Sequence, residues 1–130
     1  MAARALLREI RRVLAPDGIA RIIVPDGELY LRTYAAQLAG DPTRTFPYQA
    51  EEQARDLWSP MVSVNRIFYQ DRESLFGHRT IFDFPLLQLL LQEADFTRVV
   101  RRDFLDGADT TLLVDTPAWR VESLYAEASP

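Results

Sequence analysis

An α/β fold is predicted by three stretches of the 130-residue chain. Residues 6–14 are apolar at Leu6, Leu7, Ile10, Val13 and Leu14, with Arg8, Glu9, Arg11 and Arg12 between them. That spacing gathers apolar side chains on one face of a helix. Residues 19–24 (Ile-Ala-Arg-Ile-Ile-Val) are apolar at almost every position and β-branched at four of six. Such a run suits a strand covered on both faces, as in a parallel sheet flanked by helices. The third stretch, 83–95, is the greasiest in the chain and reads as a buried helix, with strand-like runs after it at 97–105 and 119–128.

Each element has local reasons to begin and end where it does. Ala15-Pro16-Asp17-Gly18 reverses the chain between the first helix and the strand, because proline cannot continue a helix and Asp-Gly favours a turn. Pro25-Asp26 ends the strand, and Asp26 caps a second helix over 27–39, whose apolar residues are Leu29, Leu31, Tyr34, Ala35 and Leu38. Gly40-Asp41-Pro42 stops it. Residues 43–48 read as a loop, 50–57 as polar and helix-compatible, and 61–69 as a helical stretch with Val64, Ile67 and Phe68 inward. A polar connection, 70–80, contains the only histidine, His78. Asp83-Phe84-Pro85 opens the leucine-rich helix in the favoured way, a capping carboxylate followed by a first-turn proline. Asp95 stands at its left-handed end, at a cost of roughly 1 kcal/mol or less relative to glycine. Residues 97–105 and 119–128 are expected to pair antiparallel, and 110–114 is a short strand or an extended connection. The expected whole is one domain with three to five helices and a helical insertion or lid over about 40–82.

Composition narrows the function classes. A 48% apolar content supports a real core at this length. The net charge is −4, and the fifteen basic residues, all arginine, are scattered rather than clustered. No electrostatic footprint for nucleic acid or an anionic membrane results. Without cysteine there is no disulfide framework, thiol nucleophile or thiolate metal site, and the expected compartment is the cytoplasm. One histidine and no G-x-S-x-G leave a nucleophilic triad and a metal cluster without support.

Helix, Pro-Asp-Gly turn, buried strand and Pro-Asp, in that order, resemble the C-terminal half of a class I S-adenosylmethionine-dependent methyltransferase. The family's "RVLxPGG" phrase before its fifth strand is matched by Arg12-Val13-Leu14-Ala15-Pro16-Asp17-Gly18, with Asp17 in place of the more usual glycine. The likeness continues through residues 65–69, 77–83, 91–96 and 123–128. It implies a partial Rossmann-like sheet, completed beside the fifth strand by the antiparallel pair. It also implies S-adenosylmethionine as cofactor, yet the family's cofactor site is built mainly on the other half of the fold, on a glycine-rich turn and an acidic residue. The five glycines here are far apart, no G-x-G occurs, and no cofactor-binding residue is assigned in this chain.

The resemblance places candidate residues on the substrate side. Asp26, at the carboxyl end of the first strand, borders the family's cleft; its plainer role is a helix cap. Asn65, Phe68, His78, Arg79 and Asp83 fall in segments like the family's "N-x-x-F" and "GH-R-x-x-x-D" phrases and imply a substrate-binding wall or lid. His78 is the candidate general base for an acceptor hydroxyl or amine, against a loop histidine bonded to backbone or water. Arg79 suits an anionic small-molecule acceptor, against an ordinary surface contact; Asp83 is more simply a cap. Tyr30, Tyr34, Phe46, Tyr48, Trp58 and Tyr69 are candidates for an acceptor pocket, against ordinary core. The strand from Ile19 to Val24 lacks the neighbour it has in the resembled fold, and such an edge invites a second copy or a partner subunit. Three functions are therefore weighed: the substrate-side half of a methyltransferase, without cofactor binding by itself; a non-catalytic interaction or oligomerisation module; and a cofactor-independent small-molecule enzyme using His78.

Overall fold

The computed structural model describes residues 2–55, 57–68 and 78–130. In chain order the elements are α1 (Ala2–Val13), β1 (Ala20–Pro25), α2 (Gly27–Leu38), α3 (Gln49–Arg55), α4 (Pro60–Arg66), α5 (Phe84–Gln92), β2 (Arg98–Arg102) and β3 (Ser123–Ser129). The chain is α/β, with a three-stranded antiparallel sheet in the order β1-β3-β2. It divides into two compact units, Met1–Val24 with Phe82–Pro130, and Pro25–Ile81.

In the first unit the alternation of strand side chains sorts two kinds of contact onto the two faces of the sheet. Leu124, Ala126 and Ala128 of β3, together with Ala20, Ile22 and Val24 of β1 and Val99 of β2, join Leu87, Leu90 and Leu91 of α5 in one apolar cluster. Leu7, Ile10 and Leu14 of the α1 segment complete it, which is the use the helical spacing of that segment predicts. The alternate residues Arg21, Arg102, Tyr125 and Glu127 gather in a polar network described below. Register follows from the pairing of β2 with β3, in which Val99 stands opposite Ala128, Val100 opposite Glu127 and Arg102 opposite Tyr125.

The ends of α5 behave as its sequence requires. The Asp83 carboxylate accepts from the amide of Leu86 at 2.9 Å, and Pro85 sits in the first turn. At the other end the amide of Phe96 donates to the carbonyl of Leu91 and that of Asp95 to Gln92, both at 3.1 Å, with Asp95 at φ 65°. This is the left-handed closing turn with its apolar contact, since Leu91 and Phe96 are both buried in the same cluster. The same turn closes α2, where Gly40 takes the left-handed position at φ 81°. There Gly40 donates to Gln37 and Asp41 to Ala36.

The second unit is helical. Tyr30 of α2, Phe46 and Ile67 form its buried centre, with Tyr34, Trp58, Val64, Phe68 and Ile81 packed around them. The inward set expected of the 61–69 stretch is thus present at Val64, Ile67 and Phe68.

Several expectations need correction. Residues 19–24 do not form the doubly covered strand. β1 is only partly buried along most of its length and lies at one edge of an antiparallel sheet. The strand covered on both faces is β3, buried from Leu124 through Ala128. Its small residues and Glu127 hide it from a hydrophobicity reading, because one face meets the helices and the other meets a polar loop. Residues 110–114 are not extended; Thr110–Leu112 is a 3-10 turn capped by Asp109, whose carboxylate accepts from the Thr111 amide at 2.9 Å. Trp119 likewise belongs to a 3-10 turn, Pro117–Trp119, so the last strand begins at Ser123. Pro60 opens α4, the first-turn use of proline already met in α5. Tyr69 and most of the 70–80 connection lie outside the described residues.

Candidate functional site

Arg21 is the one charged residue inside the apolar run of β1, and the chain buries it almost completely, leaving its side chain 4% exposed. Nε and Nη2 donate to the two carboxylate oxygens of Asp115 at 2.8 and 2.6 Å. Nη2 also donates to the carbonyl of Asp103 at 3.0 Å, and Nη1 to that of Asp106 at 2.8 Å. Asp115 then accepts from the amide of Leu105 at 2.7 Å. Leu105 is held at φ 53°, a conformation that a branched side chain adopts only when its surroundings impose it. Behind this pair lies Glu127, which accepts from Arg102 Nε at 2.9 Å and from the amide of Ala108 at 3.0 Å. A Cβ added at Gly107 would run into the Glu127 carboxylate, so only glycine lets the loop come this close.

The electrostatics follow from that geometry. Hydrogen bonding to the Arg21 guanidinium holds the Asp115 carboxyl below the ordinary aspartate range, and the Leu105 amide acts in the same direction. Asp115 in turn raises the pKa of Arg21 above the usual arginine value. Burial pushes the Tyr125 phenol up. A buried charge pair with its remaining atoms satisfied is a device for holding a segment in one geometry. Here the segment is the loop 103–115, tied to the sheet at both its carbonyls and its amides. With Asp115 fully enclosed, the pair itself offers no reactive atom to a substrate.

A second polar cluster lies in the helical unit. Glu52 of α3 accepts from the hydroxyl of Ser63 and from Trp58 Nε1, which also donates to Ser63 Oγ at 3.1 Å. Arg66 Nε approaches Glu52 Oε1 at 3.6 Å, and its guanidinium lies 4.0 Å from the centre of the Tyr48 ring. Tyr48 has φ 62°. Ser63 is entirely enclosed, which makes its bond to Glu52 a cross-link between α3 and α4 rather than an activated nucleophile.

The residues singled out by sequence occupy separate places. Asp26 is buried and caps α2, one carboxylate oxygen accepting from the amides of Glu28 at 3.0 Å and Leu29 at 3.3 Å. Asn65 is exposed on α4, and Phe68 packs toward the apolar centre of its unit. His78 is half-buried and Arg79 exposed. Asp83 belongs to the other unit and caps α5. Of the aromatic candidates, Tyr30 and Phe46 are core, 5.9 Å apart between ring centres, with Tyr34 and Trp58 against them. Tyr48 lies beneath Arg66, as described above. Among the described residues no cluster of three or more His, Asp or Glu is placed to hold a metal ion. No helix among them is long and apolar enough to cross a membrane.

Sequence reading passed over Arg21, Asp115 and Glu127. One signal was available: an arginine inside an otherwise apolar strand needs a buried partner. Which of the nineteen acidic residues supplies it is a matter of tertiary contact, since Asp115 lies 94 positions away. No family model matches the chain, and neither a curated protein nor a solved structure matches it.

Proposed function

We propose that the chain is the substrate-side half of a class I S-adenosylmethionine-dependent methyltransferase fold. The observation that carries this reading is the order of the sheet. A helix and a Pro-Asp-Gly turn lead into β1, and the antiparallel pair β2 and β3 completes the sheet beside it. That is the arrangement the resemblance implies for the family's fifth strand and its last two.

The donor, which supplies an electrophilic methyl group when bound, does not fit the residues present. A glycine-rich turn is missing from the sequence, and the acid at the carboxyl end of β1, Asp26, is engaged with the first amides of α2. The role proposed for this chain is to hold and orient a small-molecule acceptor, which converts a bimolecular transfer into a near-unimolecular one. In this reading Asn65, Phe68, Arg79 and the neighbourhood of Asp26, all within the helical unit, supply the acceptor wall, and His78 removes the acceptor proton, while Asp83 serves as the cap of α5 in the other unit. Whether the acceptor atom is oxygen, nitrogen or carbon is not a property of the fold.

The test is to read the coding DNA upstream of Met1, express the chain with any in-frame extension, and titrate both forms with S-adenosylmethionine by calorimetry. Micromolar binding by the extended form alone is expected. Micromolar binding by residues 1–130 themselves, or an extension without a G-x-G-x-G turn, would overturn the reading.

The edge position of β1 favours a second reading, a non-catalytic module that pairs with its own kind or with a partner subunit. Ile23 is 36% exposed on that strand, and Leu6 and Val13 are exposed on α1. A defined oligomer in sedimentation supports the module, and a clean monomer at micromolar concentration counts against it.

A further inference from the structure

A cavity of about 310 Å3 opens in the first unit where β2 ends and β3 begins, and none of the residues proposed for the acceptor wall enters it. Arg101, Arg102 and Arg120 line it against a single carboxylate, Asp103, with Phe104 and Tyr125 supplying aromatic wall. In a chain whose net charge is −4, the lining places three guanidinium groups beside one carboxylate. The three are not equivalent. Arg102 is tied to buried Glu127 at 2.9 Å, and Arg101 has a partner of its own. Among the described residues the Arg120 guanidinium has no hydrogen-bond or ion-pair partner and rests 5.2 Å over the Phe104 ring.

We propose that this cavity binds a small organic anion carrying a planar ring, with the anionic group on Arg120 and the ring against Phe104. A guanidinium with free donors presents a rigid fork that matches a carboxylate or a phosphate. Stacking on Phe104 keeps it aimed without consuming those donors. Phe104 and Tyr125 meet edge to face, 6.2 Å between centres at 69°; Tyr125 is buried beneath Arg21 and backs the wall, so the half-buried Phe104 presents the accessible ring surface. The volume is at the lower end of the range for small-molecule sites. Its walls are pre-set, because Arg21 holds the Asp103 carbonyl and Asp115 holds the Leu105 amide on either side of Phe104. Little ordering is left for the ligand to impose. The inference goes beyond the methyltransferase reading and does not rest on it, since every lining residue lies in the first unit and none of them is assigned to the acceptor wall.

Calorimetric titration of the full chain with phenyl phosphate, benzoate and inorganic phosphate at low salt tests it. Saturable binding of at least one of the two ring-bearing anions at about 1 mM or tighter is expected, and the preference between them assigns phosphate or carboxylate. Inorganic phosphate is expected to bind more weakly. Arg120→Gln, on an exposed side chain whose loss leaves the buried network in place, should weaken binding by about tenfold or more. Arg8→Gln, on exposed α1, should leave it unchanged. Three outcomes each overturn the proposal: no saturable binding of either ring-bearing anion, equal affinity for inorganic phosphate, or equal losses in the Arg8 and Arg120 variants.

Discussion

Replacing Asp115 by asparagine preserves the shape of the side chain and removes its charge, so its effect isolates what the buried pair contributes. The aspartate accepts three hydrogen bonds, two from Arg21 and one from the Leu105 amide, and its side chain is fully enclosed. An asparagine turns one acceptor atom into a donor, which then faces either a guanidinium N–H or a backbone N–H. Arg21 keeps Glu127 at 3.6 Å and two carbonyls, but loses its bidentate partner. Removing one member of a buried, hydrogen-bonded pair costs about 3–5 kcal/mol, a large part of the roughly 5–15 kcal/mol that stabilises a domain. With a urea slope of about 2 kcal/mol per M, the unfolding midpoint followed by far-UV circular dichroism should fall by roughly 2 M at neutral pH. The pH dependence has a definite sign. The carboxyl of Asp115 is depressed in the folded state, so its contribution is complete above the unfolded value of about 3.9 and is lost as pH falls through the lower folded value. The gap between parent and variant should therefore hold at neutral pH and narrow below about pH 4. A midpoint change under about 0.5 M with an unchanged slope would refute the claim that this pair holds the loop. The double variant Arg21→Met with Asp115→Leu separates charge from geometry. Recovery of most of the loss assigns it to the stranded charge, and no recovery assigns it to the carbonyls of Asp103 and Asp106.

Other substitutions probe neighbouring arguments. Gly107→Ala should cost about 1–3 kcal/mol in the same urea assay, because the new methyl meets the Glu127 carboxylate and, at 2.9 Å, a Leu113 methyl group; a neutral result would show that the loop stands off the strand. Asp95→Gly should raise stability by up to about 1 kcal/mol, since φ 65° is open to glycine at little cost, and a loss would point to a use of the carboxylate that the backbone does not reveal. Asp26→Ala should lower stability by about 0.5–2 kcal/mol, with Asp26→Asn close to the parent; an asparagine variant as weak as the alanine one would mean that the charge, not the cap, is what the site uses.

Local chemistry alone determined the helices and their ends. The apolar spacing of Leu7, Ile10 and Leu14, the caps at Asp26 and Asp83, the proline after each turn or cap and the left-handed Asp95 are decided within a few residues of chain, where steric and hydrogen-bond preferences act. The antiparallel pairing of the last two strands was also anticipated, though not from local chemistry, since their partners lie more than twenty residues apart. The tertiary structure decided which strand is central, and it chose β3, whose alanines and Glu127 carry no hydrophobic signal until α5 covers one face and the 103–115 loop the other. It also chose the partner of Arg21 from a distant loop and, through the same contacts, gave the cavity beside Phe104 its fixed walls. Such choices depend on which surfaces meet when the chain closes on itself, and a burial or an ion pair between residues 94 positions apart leaves no period in the sequence from which to read it.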